Sequence, residues 1–281
     1  MQYEEKFLLP LFIKHYSQFF PLNSIYVIDH GSSQNFVPDG INRIYIPRDR
    51  DFSEFDRLLL VKNIADGLLK YYDYGVYADC DEFIALDYFD EKSLSDFPVA
   101  YVCAFECFPE VVDSKERILG LVNPKMCKPL IFKELPNWNC GFHFSDLHHP
   151  SLELSIPMAH VRYLFTSQIS HRVSIRKMVY SSLASRERAI GFVEQWNAGE
   201  KAVSNFFDYL NMLADKNPQI SSFNTFERGQ LFNKQTIGIY AARSVFTAKG
   251  GYEIFEERFD LTDFFPVLHG EMGSFLATEG K

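Results

Sequence analysis

Hydrophobic and aromatic residues recur at helical spacing in two long segments of the chain. These segments are residues 4–20, where the apolar side chains fall on one side of a helix, and residues 53–71. Pro10 lies in the early turns of the first segment, where a helix tolerates proline. Ser53 begins the second segment and is a suitable N-cap residue. The pattern therefore predicts two helices, of which the first is amphipathic.

Short runs rich in β-branched and aromatic residues, bounded by turn residues, predict the strands. The predicted strands are residues 24–28, 42–46, 74–78, 99–105, 128–133, 140–144 and 155–161. The first part of the chain has the order helix, strand, strand, helix, strand, which is typical of α/β proteins. We therefore predict an α/β fold with a mostly parallel central sheet flanked by helices.

The second part of the chain is predicted to be mainly helical. Charged and apolar residues interleave at helical spacing beyond residue 167, most clearly in residues 172–213. One strand is predicted at residues 236–241, and an aromatic stretch follows at 255–265. We therefore predict an α/β domain at residues 1–166 and a mainly helical C-terminal extension at 167–281. The extension is a candidate either to close over a binding site or to form a homo-oligomer contact.

The composition is that of a globular protein and removes several classes of function. The chain has 281 residues, of which 47% are hydrophobic, enough to bury a large core. Its 28 basic and 37 acidic residues give a net charge of −9, which disfavours nucleic acid as a partner. No apolar run approaches the roughly 20 residues that cross a bilayer. We predict no transmembrane segment, and at most peripheral association with the inner face of the membrane.

The five cysteines are odd in number and irregularly spaced, without a CxxC pair. This pattern argues against a disulfide framework and against a zinc site, and it indicates a reducing compartment. Cys103 and Cys107 with His143 form the alternative, a zinc site, but free cysteines are more often small buried hydrophobic residues. The acidic N-terminus does not resemble a signal peptide. The sequence therefore predicts a cytoplasmic protein.

The strongest chemical signal is an acidic cluster that follows the predicted strand 74–78. Asp79, Asp81 and Glu82 place three carboxylates within four residues, and such crowding costs stability unless a cation is present. In open α/β sheets the carboxyl ends of strands are where ligands bind. The alternative is a solvated acidic turn, but apolar residues flank the cluster on both sides. The cluster therefore predicts a cation site.

The cluster and two earlier segments resemble a known enzyme family. Residues 79–83 (DCDEF) resemble the DxD motif, in its DxDEF form, of nucleotide-sugar-dependent glycosyltransferases with the GT-A fold, particularly the family-2-like group. Residues 4–16 are similar to the NEExxLxEWxxHH helix of that group. Residues 25–32 (IYVIDHGS) are similar to its IYVYDNGS strand and turn.

The resemblance continues on both sides of the DxD motif. Arg57 and Asn63 stand where the group carries an Arg and an Asn on the helix before the motif. Residues 160–163 (HVRY) and 174–177 resemble its HYR…S…K segment. The resemblance covers about residues 3–180, and the ordered set of segments is more specific than a DxD motif alone.

The resemblance implies a function and its cofactors. The family transfers a sugar from a nucleotide-sugar donor, expected here to be a UDP-sugar, and the group that this chain resembles inverts the anomeric centre. A glycan or glycolipid precursor is the implied acceptor. Mn²⁺ or Mg²⁺ is the implied metal, because both ions prefer oxygen ligands. The implied metal ligands are Asp79, Asp81 and His160, and the implied nucleotide contacts are Tyr3, Glu4, Asp29, Arg57 and Asp79.

An inverting transfer also needs a general base that deprotonates the acceptor hydroxyl. The region after the motif offers three candidates, His143, Asp146 and Glu153. We prefer Asp146, because it lies in a polar, histidine-rich loop at residues 145–150 that could overhang the site. The alternative is a surface loop whose histidines have no specific function.

Two departures from the family pattern keep other functions open. The family has a central strand before the segment that begins here at Tyr3, so the first strand is expected to be absent or truncated, and Tyr3 replaces the usual Asn. A catalytically degenerate partner subunit is therefore the main alternative. A phosphatase with Asp79 as nucleophile also uses DxD, but it carries Thr or Val where this chain has Phe83, and we favour it less.

Overall fold

The computed structural model describes residues 2–47, 54–89, 91–123, 126, 128–138, 141–142, 151–181, 199–216, 219–222 and 258–279. The helices are α1 (Leu8–Tyr16), α2 (Glu54–Leu68), α3 (Thr166–Ser181), α4 (Gly199–Lys216) and α5 (Pro266–Glu279). The strands are β1 (Tyr26–Asp29), β2 (Asn42–Tyr45), β3 (Gly75–Val76), β4 (Glu82–Ile84), β5 (Val99–Val112), β6 (Lys115–Val122), β7 (Lys128–Phe132), β8 (Ser151–His160), β9 (Ile220–Ser222) and β10 (Arg258–Asp260). The described residues thus confirm the predicted mixed α/β class.

The long strand β5 organises the larger of two sheets. One edge of β5 pairs in parallel with β8, from Val99 to Glu106. The other edge pairs antiparallel first with β7 and then with β6. Beyond β6 lie β10 and β9, and beyond β7 lies β3. The smaller sheet consists of β1 and β2, which pair in parallel.

The larger sheet differs from the mostly parallel one that the sequence predicts. Among the described strands, parallel pairing occurs in β1–β2, β5–β8 and β9–β10, and the other pairings are antiparallel. Parallel neighbours need a crossover of about a dozen residues or more. β5 and β6 are instead joined at Asp113 and Ser114, whose φ values of 50° and 62° form a tight left-handed turn. Such a turn imposes antiparallel pairing.

The predicted helices and strands in the first part of the chain are present but shorter. Helix α1 begins at Leu8 and not at residue 4, and Glu4 itself has a φ value of 52°, outside the helical region. Ser53, the predicted cap of α2, lies outside the described residues. The predicted strand 74–78 is reduced to β3. No helix in the described part of the chain is long and apolar enough to cross a bilayer.

Helices cover both faces of the larger sheet. Side chains of β6 alternate, so that Ile118 packs in one apolar cluster with α1 and α5. Leu119 and Leu121 pack on the opposite face with Phe206 and Leu210 of α4. Strands β9 and β10 and helices α3 to α5 all belong to the predicted extension, and β10 pairs directly with β6. The described residues of the extension are therefore part of the same sheet and core.

Two predicted strands fall largely outside the described residues. Of the strand predicted at 140–144, only Gly141 and Phe142 are described, and both have positive φ values, of 82° and 62°. The strand predicted at 236–241 lies wholly outside them. Strands β4, β6, β9 and β10 were not predicted.

Candidate functional site

The DxD segment forms a tight turn between β3 and β4. The Glu82 N–H donates to the Asp79 carbonyl over 2.9 Å. In return the Asp79 N–H donates to Glu82 Oε2 over 3.0 Å. β4 then pairs antiparallel with the end of β8, so that Glu82 lies opposite His160. The turn therefore brings the motif beside a histidine 78 residues further along the chain.

The carboxylate of Asp79 is held by three neighbours. Arg57 Nη1 donates to Asp79 Oδ1 over 2.9 Å, and the Tyr77 hydroxyl donates to the same oxygen over 2.8 Å. Lys128 Nζ lies 3.6 Å from Asp79 Oδ2. Burial raises the pKa of Asp79, but Arg57 and Lys128 outweigh it and hold the pKa below its ordinary value. Asp79 is therefore an anion that fixes Arg57.

Glu82 forms a buried ion pair with Lys128, the first residue of β7. Lys128 Nζ donates to Glu82 Oε1 over 2.5 Å, and the two side chains are 3% and 1% exposed. Burial lowers the pKa of Lys128, but Glu82 and Asp79 raise it above its ordinary value. Glu82 therefore stabilises the turn, and Lys128 is a fixed positive charge beside Asp79.

Asp81 faces a different set of side chains. Arg172 Nη2, on α3, donates to Asp81 Oδ2 over 2.6 Å. His160 Nε2 lies 3.6 Å from the same oxygen. The Arg172 Nε atom also lies 3.6 Å from Glu5 Oε2. Backbone contact supports this arrangement, because the Val161 N–H donates to the Asp81 carbonyl over 2.9 Å.

His160 is oriented by a carboxylate behind it. Its Nδ1 atom lies 2.9 Å from both side-chain oxygens of Glu106, on the neighbouring strand β5. Asn123 Nδ2 donates to Glu106 Oε1 over 3.0 Å and fixes that carboxylate. Burial lowers the pKa of His160, but Glu106 and Asp81 raise it to about 9. Without a metal ion the ring is therefore protonated at neutral pH, with Nε2 directed at Asp81, and a metal ion bound at Nε2 would displace that proton.

Asp81 and His160 fit a divalent cation. Two ligands that each lie about 2.1 Å from one ion are at most about 4.2 Å apart, and Asp81 Oδ2 and His160 Nε2 are 3.6 Å apart. A carboxylate on the other ring nitrogen, as Glu106 provides, is the usual support of a metal-binding histidine. No group of three His, Cys, Asp or Glu side chains suited to a metal occurs in the described part of the chain. Mg²⁺ and similar ions often complete their coordination with water and substrate phosphates.

The predicted nucleotide contacts at the start of the chain form a second hydrogen-bonded unit. Gln2 pairs in parallel with Asp29 at the end of β1, and the His30 N–H donates to the Gln2 carbonyl over 2.9 Å. Asp29 is 0% exposed, and its carboxylate accepts bonds from Arg43 Nε over 2.9 Å and from the Ser32 hydroxyl over 2.7 Å. Asp29 is thus enclosed by its own turn.

Residues 3–5 lie against this turn. The Glu4 N–H donates to Ser32 Oγ over 3.0 Å, and the Glu4 carboxylate accepts from the Ser33 N–H over 2.5 Å. Glu5, the next residue, reaches Arg172. Arg172 therefore bridges Glu5 of this unit and Asp81 of the DxD turn, which brings the two parts of the predicted site together.

The general-base candidates fall at the edge of the described structure. His143 and Asp146 lie outside the described residues. Glu153 lies in β8, in register with Tyr101, and only its backbone is described. Of the alternative zinc site, Cys107 is buried in β5 and burial raises the pKa of its thiol well above the ordinary value, which disfavours the thiolate that zinc requires.

Three side chains of this site were not found from the sequence. Each of the three contacts a partner that is far away along the chain. Lys128 is 46 residues from Glu82, Glu106 is 54 residues from His160, and Arg172 is 91 residues from Asp81. The sequence indicated two of them only weakly, because Lys128 begins an apolar strand and Glu106 lies within one. No protein-family model, curated protein or solved structure matches this chain. The function assigned to the site therefore depends on its contacts and chemistry.

Proposed function

We propose that this chain is a metal-dependent, inverting glycosyltransferase. It would transfer a sugar from a nucleoside diphosphate sugar, such as a UDP-sugar, to a hydroxyl of a glycan or glycolipid-precursor acceptor. The observation that carries the proposal is the pair Asp81 and His160, set 3.6 Å apart and backed by Glu106. The cations Arg57 and Arg172 lie directly beside this pair and the DxD turn.

This arrangement suits the departure of a nucleoside diphosphate. Asp81 and His160 would hold Mn²⁺ or Mg²⁺, which neutralises the charge of the diphosphate leaving group. Arg57 offers a further fixed cation, because Asp79 and Glu54 bind its guanidinium from two sides. Preorganised charges of this kind stabilise a developing anion without rearrangement during the reaction. Asp79 acts in this scheme through Arg57, and not as a metal ligand.

The nucleoside is assigned to the unit formed by residues 2–5 and 29–33. Tyr3 and Glu4 are the proposed contacts to the base and ribose. Asp29 is enclosed by Arg43 and Ser32, so its proposed role is to hold the turn against which residues 3–5 lie. The general base remains one of His143, Asp146 and Glu153.

The GT-A fold and a cytoplasmic location belong to the same proposal. The parallel pair β1–β2, followed by α2 and by the DxD turn after β3, supports a nucleotide-binding half of that fold. Cys80, Cys103 and Cys107 are free thiols, which agrees with a reducing compartment. The reaction would then take place in the cytoplasm, at the inner face of the membrane if the acceptor is a glycolipid precursor.

The test is a thermal-shift titration with Mn²⁺, with UDP and with both. At concentrations of about 100 times Kd, binding adds about 2.7 kcal/mol of stability, which corresponds to roughly 5–10 °C in Tm. We expect Asp81→Asn to abolish the shift with Mn²⁺ plus UDP. Asp66→Asn is the matched control, because Asp66 is exposed on α2 and pairs only weakly with Lys70.

Each outcome of this titration separates the functions considered. A well-folded wild-type protein that shows no shift with Mn²⁺ plus UDP would contradict the transferase and favour a catalytically degenerate partner subunit. If the shift is present, hydrolysis of a panel of nucleotide sugars identifies the donor. Release of inorganic phosphate from phosphomonoesters, without any hydrolysis of nucleotide sugars, would instead favour the phosphatase.

A further inference from the structure

Arg172 occupies the side of Asp81 that a metal ion would need. Its Nη2 atom bonds Asp81 Oδ2 at 2.6 Å, and His160 Nε2 lies 3.6 Å from that same oxygen. The Arg172 side chain is only 13% exposed, and its Nε atom faces Glu5 at 3.6 Å. The guanidinium is therefore a built part of the site and not a mobile surface group.

The guanidinium and a divalent ion compete for one oxygen. A divalent ion coordinated by Asp81 Oδ2 would lie about 2.1 Å from that oxygen. Arg172 Nη2 already lies 2.6 Å from the same oxygen, so the ion and the guanidinium would be close neighbours. Two cations held this close in a partly buried site repel each other strongly. Arg172 must therefore leave Asp81 Oδ2 before the ion can bind there.

A donor diphosphate offers the displaced guanidinium a new partner. A planar guanidinium binds phosphate oxygens through two parallel N–H bonds, and it does so better than an ammonium group. The diphosphate of a metal-bound donor would bring such oxygens to the ion, next to Arg172. Glu5, which already faces Arg172, would remain beside it throughout.

We propose that Arg172 is a gate that couples metal binding to donor binding. Without donor, Arg172 bonds Asp81 and keeps metal affinity low; with donor, Arg172 transfers to the diphosphate and releases Asp81 to the metal. This inference rests on the proposed function, and it adds that metal and nucleoside diphosphate bind with positive coupling. Arg172 lies on α3, twelve residues after His160, so α3 would take part in this exchange of partners.

The test measures Mn²⁺ binding by electron paramagnetic resonance, with and without UDP, and UDP binding at saturating Mn²⁺. In the wild type, we expect UDP to tighten Mn²⁺ binding by at least about tenfold, a typical size for coupling between sites. Arg172→Gln is expected to tighten Mn²⁺ binding in the absence of UDP by about tenfold and to weaken UDP binding by a similar factor. A role limited to folding would not produce these opposite changes.

Two further variants keep the test decisive. Arg172→Lys retains the positive charge but not the paired N–H groups. We therefore expect Mn²⁺ binding without UDP to tighten, and UDP binding to weaken, by less than in Arg172→Gln. This variant replaces Arg172→Gln in the test if that protein does not fold. Arg117→Gln is the matched control, because it removes an arginine that pairs with Asp260 on β10, and both affinities should be unchanged.

The outcomes distinguish the gate from the proposed function. A wild-type protein that binds no Mn²⁺ even with UDP overturns both proposals. A wild type that binds Mn²⁺ and UDP together, with Arg172→Gln showing unchanged or weaker Mn²⁺ binding in the absence of UDP, overturns the gate alone.

Discussion

Replacing Lys128 with methionine should destabilise the fold more than any loss of packing would explain. Methionine retains much of the aliphatic length of lysine, so the change removes mainly the positive charge. Glu82 would then keep a carboxylate that is 1% exposed and has lost its partner at 2.5 Å. Asp79 is less affected, because Arg57 still bonds it.

The expected magnitude follows from this burial. Removing one partner of a buried ion pair costs about 3–5 kcal/mol, because the remaining charge is left uncompensated. For a chain of this size, that loss corresponds to a decrease in Tm of about 6–20 °C. Urea unfolding followed by circular dichroism measures the free energy, and calorimetry measures Tm. The double variant Lys128→Met with Glu82→Gln should recover most of the loss, because glutamine can still accept the bond from the Asp79 N–H.

The pH dependence of the loss tests the reasoning directly. Burial raises the pKa of Glu82, and Lys128 opposes that rise, so removing Lys128 raises the pKa further. A carboxyl group whose pKa is higher in the folded than in the unfolded state is protonated first in the folded state. The cost of Lys128→Met should therefore shrink as the pH falls from about 8 to about 5. A cost below about 1 kcal/mol, or one that does not change with pH, would refute an uncompensated charge at Glu82.

Three further predictions concern other parts of the molecule. Burial lowers the pKa of His15, so the free energy of unfolding should fall as the pH drops below about 6.5, and His15→Gln should flatten this slope in equilibrium urea unfolding. Glu106→Gln should weaken Mn²⁺ binding in the presence of UDP by about 10–100-fold, measured by electron paramagnetic resonance, since it weakens the orientation of the metal-binding histidine. Gly120→Ala should cost about 1–3 kcal/mol in urea unfolding, because the added Cβ meets Leu261, whereas Gly67→Ala has open space and should not destabilise α2.

Local pattern was sufficient to predict the helices and several strands. α2, β2 and β7 differ from their predicted bounds by a few residues at most, because each is determined by spacing within its own segment. Direction in the sheet is not a local property. β5 and β6 are joined by a tight turn and therefore pair antiparallel, whereas the predicted parallel sheet was based on the order of the first helices and strands and did not include β6.

The candidate site shows the same division. Asp79, Asp81 and His160 were predicted as metal ligands from the family resemblance, and the structure sets Asp81 and His160 beside each other. The sequence pattern could not predict which basic side chain pairs with which carboxylate. The partners Lys128 and Arg172 come from β7 and α3, and only the folded chain brings them to the turn.

The pairing of β10 with β6 affects how the protein folds during synthesis. The Leu261 N–H bonds the Ile118 carbonyl, and α5 packs against α1, so the core joins residues from both ends of the described chain. Until the ribosome has released residues 258–279, one edge of β6 lacks its partner strand. Contacts of such long sequence separation form slowly, and the nascent chain is then prone to association. We therefore expect ribosome-bound intermediates that end before β10 to bind chaperones, although most of the site is already synthesised.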